Sequence, residues 1–372
     1  MTLKKEGGLA DIVAGQTSIS TVGKKGKELS YRGYAIQDLA RYGSFEETAF
    51  LLLHGELPNE DELLQFQSRL ERKRGLPAGL CTILEQLPAD AHPMDVLRTG
   101  ISALGSLEPE SYGYGAVDIA ERLLACSASI VLYWRHYHLN KIRIATELEG
   151  TVSEHFLQLL HGRKPGKQHA HALDTSLTLY AEHEFNASTF AARITASTQS
   201  DFYSAATTGV GTLRGNLHGG ANEAAMELIE AFSSPEEAEA GIQQMLLQKR
   251  LIMGFGHRVY TASDPRSDLI KEQSRILSEL ADDWKLYDIS ERIEYVMQRK
   301  KKLFPNLDFY SASVYRLLGI PNSLFTPLFV ISRLSGWTAH IVEQRSCNRL
   351  IRPNAEYVGR ERQPWISVKE RM

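Results

Sequence analysis

The stretch Ile289-Ser290-Glu291-Arg292-Ile293-Glu294-Tyr295-Val296-Met297 decides how this chain is to be read. Its apolar residues stand at i, i+4, i+7 and i+8, the spacing of one helix face and not of a strand. The same period recurs outward from it. Leu269, Ile270, Ile276, Leu277 and Leu280 form one stripe. Leu63, Phe66 and Leu70 form another, with Glu60, Asp61, Arg69 and Lys73 off it. Pro58, Pro77, Pro88, Pro93 and Pro165 fall at segment junctions, as helix punctuation should. Glu108 to Gly115 and His161 to His169 read as loops. Strand signals are few, the best being Ile12-Val13-Ala14 and Glu28-Leu29-Ser30-Tyr31. The expectation is an all-α fold with a minor N-terminal β element.

At 372 residues the chain exceeds the size at which a single core usually stops growing. A rise in charge after Gly220 suggests a large domain formed by residues 1–220 and 320–372, with a small domain, 221–319, between them. A net charge of -3 gives no field that would favour nucleic acid or an acidic membrane. No run approaches the ~20 apolar residues of a membrane helix. Met1 to Gly8 has no apolar run of the kind a secretion signal needs. Cys81, Cys126 and Cys347 are far apart and odd in number, so no disulfide framework is expected, and a cytoplasmic location fits best. No C-x-x-C occurs, and neither His136-Tyr137-His138 nor His169-Ala170-His171 has a third ligand at sensible spacing. Metal is not expected, and these histidines read as surface or loop residues.

Three segments carry chemistry-bearing residues: His218-Gly219-Gly220-Ala221-Asn222, Gly254-Phe255-Gly256-His257 followed by Asp264-Pro265-Arg266, and Pro305-Asn306-Leu307-Asp308. Glycines after His218 leave room for a ligand to approach the backbone, although a histidine there could equally cap a tight turn. The lone G-x-G before His257 lacks the strand of a dinucleotide site. Gly209-Val210-Gly211 reads as close helix packing. Asp308 reads as a helix N-cap, and aromatic neighbours would also raise its pKa as a base requires. Two imidazoles and one carboxylate suit carbon–carbon bond formation next to a thioester. The carboxylate takes a weakly acidic C–H proton, one imidazole stabilises the enol, and the other polarises the carbonyl under attack. Arg333 lies in the apolar run Leu328-Phe329-Val330-Ile331-Ser332-Arg333-Leu334 and needs a partner, either an internal carboxylate or a bound one. Arg266 and Arg352 are similar candidates, and arginines converging on a site suit a dicarboxylate.

Over nearly its whole length the chain resembles the citrate synthase family. The motifs run from Tyr31-Arg32-Gly33-Tyr34 through His92-Pro93-Met94 and His183-Glu184-Phe185-Asn186-Ala187-Ser188 to Arg352-Pro353. The resemblance implies a helical homodimer whose small domain closes over its substrates. It implies that His218 stabilises the enol of the acyl-CoA, that Asp308 takes the α-proton, and that His257 activates the oxaloacetate carbonyl. His183, Arg266 and Arg333 would hold oxaloacetate, with Arg352 donated by the partner subunit. The backbone of Met253, Gly254, Phe255 and Gly256 resembles the segment that receives CoA. Lys249, Arg250 and the run Arg299 to Lys302 could meet CoA phosphates, or be a solvated charged face. No cofactor is implied, since the CoA thioester is a substrate.

Tyr180, Glu182 and Thr261 resemble the branch of the family that uses propanoyl-CoA, the 2-methylcitrate synthases. So do Lys302-Leu303-Phe304-Pro305-Asn306 and Leu132-Tyr133-Trp134. Arg258 and Ala312-Ser313-Val314-Tyr315 look more like citrate synthases that use acetyl-CoA. The sequence points to the first, with some acetyl-CoA activity, because one methylene is worth only about 1–3 kcal/mol in a pocket. A binding member of the family that has lost catalysis is the remaining alternative.

Overall fold

The structure, a computed structural model, describes residues 12–23 and 28–371. The stretch read as lacking a secretion signal, residues 1–8, lies outside the described residues. In chain order the helices are α1 (Ile36–Tyr42), α2 (Phe45–His54), α3 (Glu60–Arg72), α4 (Ala78–Gln86), α5 (Pro93–Leu107), α6 (Ala116–Asn140), α7 (Val152–His161) and α8 (Lys167–Tyr180). They continue as α9 (Ala187–Ser197), α10 (Phe202–Leu213), α11 (Ala221–Glu230), α12 (Pro235–Leu247), α13 (Ser267–Ala281), α14 (Lys285–Lys301), α15 (Leu307–Leu317) and α16 (Phe325–Ser346). The fold is all-α, as the periodicity implied. Among the described residues no helix is long and apolar enough to cross a membrane, and all three cysteines are unpaired.

One small antiparallel sheet joins β1 (Ser20–Val22), β2 (Leu29–Tyr31) and β3 (Tyr34–Ala35). The second expected strand is therefore present, but the first lies downstream of Ile12-Val13-Ala14. Ile12 and Val13 are exposed, with no strand beside them to complete a ladder. β2 belongs to the core instead, since Tyr31 is buried and its hydroxyl donates to the Glu182 carbonyl at 2.9 Å.

Helix α16 is buried along most of its length and so shows little amphipathic bias. It packs against α2, α5, α6, α8, α9 and α10. Its approach to α10 depends on Gly209, where a Cβ would lie 2.9 Å from the Trp337 ring. Gly209 is thus a packing device, while a Cβ at Gly211 would meet nothing nearer than Arg98 at 3.8 Å. In α14, Ile289, Ile293, Val296 and Met297 are all buried, the four positions that set the helical reading. The α13 stripe is narrower than expected. Leu280 is exposed, while Ser274 and Ser278 are buried beside Leu277. Ser274 reaches across to Ser313 at 2.7 Å, so polar contact with α15 takes the place of a fourth apolar turn.

The 108–115 loop is where the sequence placed it. The second expected loop is shorter, because α7 runs to His161, ends on the left-handed Gly162 (φ 70°), and α8 begins at Lys167. His169 and His171 are therefore helical, and His136 and His138 are helical and half-buried on α6. His136 Nε2 contacts the Leu159 carbonyl at 2.8 Å, so it is a structural contact and not a loop residue. Helices α11 to α15 pack chiefly on one another. They meet the remainder through α8, α16 and the 3-10 turn Asn322–Leu324.

Candidate active site

Two elements of the buried frame supply the first half of the site. Helix α8 ends at Tyr180, and the turn after it carries Glu182 and His183, both buried. Helix α16 supplies Phe329 and Arg333, one turn apart on the same face. The Arg333 guanidinium lies 4.7 Å from the Phe329 ring centre. Its Nε donates to the Tyr180 carbonyl at 2.7 Å. Among the described residues no carboxylate lies within salt-bridge distance of it. Burial lowers the Arg333 pKa to about 10, and the Glu182 carboxylate partly opposes that fall. Arg333 is therefore a buried cation whose charge is not matched at contact range, the state that a carboxylate ligand would relieve.

Glu182 is tied down by other groups. Its Oε1 accepts from Ser20 Oγ at 3.0 Å and lies 2.8 Å from His340 Nε2, with both side chains fully buried. Burial alone would raise its pKa, but His340 and its other neighbours hold it below the ordinary value. The chain continues from His340 to Arg193, and from Arg193 to Glu343, which also accepts from the Ser18 backbone at 2.8 Å. This buried network fixes the turn that presents His183.

Residues 249–266 and 303–308 supply the second half. Gly256 N donates to the Phe304 carbonyl at 2.8 Å, and Asn306 N to the Gly254 carbonyl at 2.9 Å. Gly254 (φ 83°) is required, because a Cβ there would meet Phe309 at 2.9 Å. The Asn306 side chain has two tasks. Its Nδ2 donates to the Gly256 carbonyl at 3.0 Å, and its Oδ1 accepts from Asp308 N at 3.1 Å. Asn306 is thus the N-cap of α15, and Asp308 is not the cap the sequence reading made it. Asp308 lies in the first turn, its carboxyl free for other use. Arg266 is paired with Asp264, with Nε to Oδ1 at 2.9 Å and Nη2 to Oδ2 at 2.8 Å. The same Asp264 Oδ2 accepts from Leu307 N at 3.1 Å, which links this pair to the start of α15.

The two halves meet around three rings. His183 and His257 lie 5.0 Å apart by ring centre, and His257 and Tyr260 4.6 Å. His183 Nε2 is 3.1 Å from the Tyr260 hydroxyl. His257 Nδ1 accepts from the backbone of Val259 at 3.0 Å and of Tyr260 at 3.2 Å. An imidazole nitrogen that accepts two amides carries no proton, so the His257 proton sits on Nε2. Burial, helped by the Arg266 charge, lowers the His257 pKa to about 4. Burial followed by the Arg266, His257 and Arg333 charges holds His183 well below its ordinary value. Both rings are neutral donors at neutral pH.

The His218 ring lies 6.2 Å from that of Phe329. Its Nε2 lies 2.7 Å from Ser188 Oγ and accepts from the Ser188 amide at 3.3 Å. Ser188 Oγ also accepts from Trp337 Nε1 at 3.1 Å. Burial, then the Arg333 charge, lowers the His218 pKa to about 4. Asp308 Oδ1 accepts from the Tyr180 hydroxyl at 2.6 Å, and burial raises the Asp308 pKa.

The structure thus brings together His218, His257, Asp308, His183, Arg266 and Arg333. It does not bring Arg352 to them within one chain. Arg352 is exposed on the segment after α16 and, among the described residues, bonds only Asn354 Oδ1, at 2.9 Å. Met253, Gly254, Phe255 and Gly256 form the strip paired with 304–306, beside His257. Lys249, Arg250 and Lys302 are exposed, as are Arg299, Lys300 and Lys301 at the end of α14. Sequence reasoning missed Phe329, Ser188 and the bond from Tyr180 to Asp308. Only Phe329 left a local signal, standing four residues before Arg333 on one helix face.

Three neutral imidazoles, one carboxylate and two buried arginines gathered in one helical frame suit an acyltransferase of the carbon–carbon bond-forming type. Residues 8–354 match the family described as citrate synthase, C-terminal domain, and the chain belongs to the citrate synthase family. It is 52% identical to the 2-methylcitrate synthase of Shewanella oneidensis, over 95% of this chain and 94% of that protein. It is 41% identical to citrate synthase 2 of Bacillus subtilis, over 98% of each. Among solved structures it resembles the citrate synthase of the archaeon Thermoplasma acidophilum, with TM-score 0.90 and 31% identity over 98% of each chain. That protein was solved as a ternary complex with carboxymethyl coenzyme A and oxaloacetate.

Proposed function

We propose that this protein condenses propanoyl-CoA with oxaloacetate and water, giving 2-methylcitrate and CoA. The observation that carries the chemistry is the placement of Asp308 and the neutral His218 and His257 rings beside two buried arginines. Asp308 takes the α-proton of the thioester, and the C–H electron pair moves into the enol, whose oxygen His218 meets. The enol carbon attacks the ketone of oxaloacetate, which His257 polarises through the proton on Nε2. Arg333 and Arg266 hold the two oxaloacetate carboxylates, with His183 beside them. Water then hydrolyses the thioester.

The choice of propanoyl-CoA is supported by the 52% identity to a 2-methylcitrate synthase, higher than the 41% to citrate synthase 2. Similarity to the latter, and to a citrate/2-methylcitrate synthase of Bacillus subtilis at 40% identity, favours acetyl-CoA as an accepted second substrate. Met253 to Gly256 supply the backbone edge for CoA. Residues 221–319 act as the small domain that closes over both substrates and keeps water out until the new bond exists.

A homodimer completes the site. Residues 347–371 are mostly extended and expose Trp365, Tyr357, Val358 and Ile366, apolar side chains that suit cover by a second copy. Arg352 lies on the same segment and reaches the partner's oxaloacetate. The test is product analysis by mass spectrometry after mixing purified protein with propanoyl-CoA and oxaloacetate. Equimolar CoA and 2-methylcitrate are expected, and hydrolysis of the thioester without a condensed product would overturn the reading.

A further inference from the structure

We propose that Tyr180 is a positioning residue for the base. Its hydroxyl occupies Asp308 Oδ1, so that Oδ2 alone receives the substrate proton. The inference rests on the assignment of Asp308 as base and adds a partner that no resemblance assigned to it.

Three contacts place Tyr180 where it can do this. Its hydroxyl donates to Asp308 Oδ1 at 2.6 Å. Its ring packs on Phe329 with centres 4.5 Å apart. Its carbonyl accepts from Arg333 Nε at 2.7 Å. One buried residue therefore touches the base with its side chain and the carboxylate-holding arginine with its backbone. Among the described residues no donor hydrogen-bonds Asp308 Oδ2. A carboxylate with one oxygen capped and the other open has a defined direction of attack, and misplacement by an ångström is costly in proton transfer.

The bond also acts on the charge. Tyr180, Arg266 and Arg333 favour the ionised carboxyl, while burial and the nearby Asp264 carboxylate disfavour it. Burial is the largest of these effects and Tyr180 the next. The Tyr180 hydroxyl is itself held far above its ordinary value, first by burial and then by the Asp308 charge, so it donates and does not ionise. In the reaction the α-carbon loses H⁺ to Oδ2, and the C–H pair becomes the enol double bond. The carboxyl turns neutral while Oδ1 still accepts from Tyr180. The hydroxyl favours the ionised base at some loss of its intrinsic basicity.

Tyr180→Phe removes the hydroxyl and keeps the ring, the Phe329 contact and the backbone carbonyl. Burial is then less opposed, so the Asp308 pKa rises and the acid limb of kcat/KM moves to higher pH. kcat at neutral pH falls on the order of ten-fold, the effect of one hydrogen bond to a charged group, with oxaloacetate affinity unchanged. Site-specific 3,5-difluorotyrosine at position 180, a stronger donor, moves the limb the other way. A merely structural role would not give opposite signs in two folded variants. A ¹³C titration of the Asp308 carboxyl reads the same displacement without turnover. Equal midpoints in wild type and Tyr180→Phe would overturn the proposal whatever the substrate. If Asp308→Asn retained turnover, the base assignment would fall as well. If Asp308→Asn were inactive and the limb unmoved in both Tyr180 variants, only the role of Tyr180 would fall.

Discussion

The strip around His257 and the turn around His218 hold chemically equal groups by different means. Both rings are neutral, with pKa values lowered to about 4 by burial and then by a neighbouring arginine. His257 is held by backbone, since two amides point at Nδ1 and leave Nε2 to donate. His218 is held by one longer amide bond, from Ser188 N to Nε2 at 3.3 Å, and by a hydroxyl. Ser188 Oγ lies 2.7 Å from His218 Nε2 and 2.8 Å from Asn186 Oδ1, and its single proton serves one of them. Two amides fix the His257 ring whatever the side chains nearby, whereas His218 has one longer amide bond and otherwise depends on the Ser188 side chain. The fixed ring suits the ketone, which needs the same donor in every cycle. The adjustable ring suits an oxygen that changes from thioester carbonyl to enol and back.

Removing the group that both rings serve has the largest effect. Asp308→Asn is expected to lower kcat on the order of 10³-fold and to abolish α-proton exchange, with oxaloacetate binding retained by calorimetry. Breaking the fixed side comes next. His257→Ala leaves the ketone unpolarised and is expected to cost roughly 10²- to 10³-fold in kcat, read by CoA release. Breaking the adjustable side costs less. Ser188→Ala removes the hydroxyl from His218 and an acceptor from Trp337, and about a ten-fold loss in kcat is expected. A larger loss there than at His257 would reverse the comparison.

The smallest effect is on stability. His218 and His257 have native pKa values of about 4, and His155, buried on α7, one of about 3. The unfolded chain takes up these protons near pH 6.5, before the native protein does. Stability from the neutral rings is therefore present above pH 6.5 and is lost as pH falls from there towards 4. The melting temperature is expected to drop across that window, and by less in His155→Gln than in wild type once both are set to their values at pH 7.5.

Much of the frame was legible because helical burial repeats every three to four residues. Ile289 to Met297 and the lone Arg333 in an apolar run both report α-helices that the structure contains. Leu280 and Ile12-Val13 were misleading because local apolarity does not say whether a partner stands opposite. The candidate site was legible as a set of residues, through three motifs, but not as a set of contacts. Asp308 looked like a cap because a carboxylate at a helix start usually is one, and only the fold shows Asn306 already filling that position. Tyr180 and Asp308 stand 128 residues apart, and Ser188 and Trp337 stand 149 apart. No periodicity links such pairs, since the packing of α15 on α8 and of α16 on α9 brings them together. Phe329 under Arg333 is the exception, because a spacing of four on one helix is readable in advance.

Comparison of kcat/KM for propanoyl-CoA and acetyl-CoA, with saturating oxaloacetate and CoA release as the signal, tests the central claim most directly. The account predicts a clear preference for propanoyl-CoA with measurable turnover of acetyl-CoA. A strong preference for acetyl-CoA, or no release from either thioester, would contradict it.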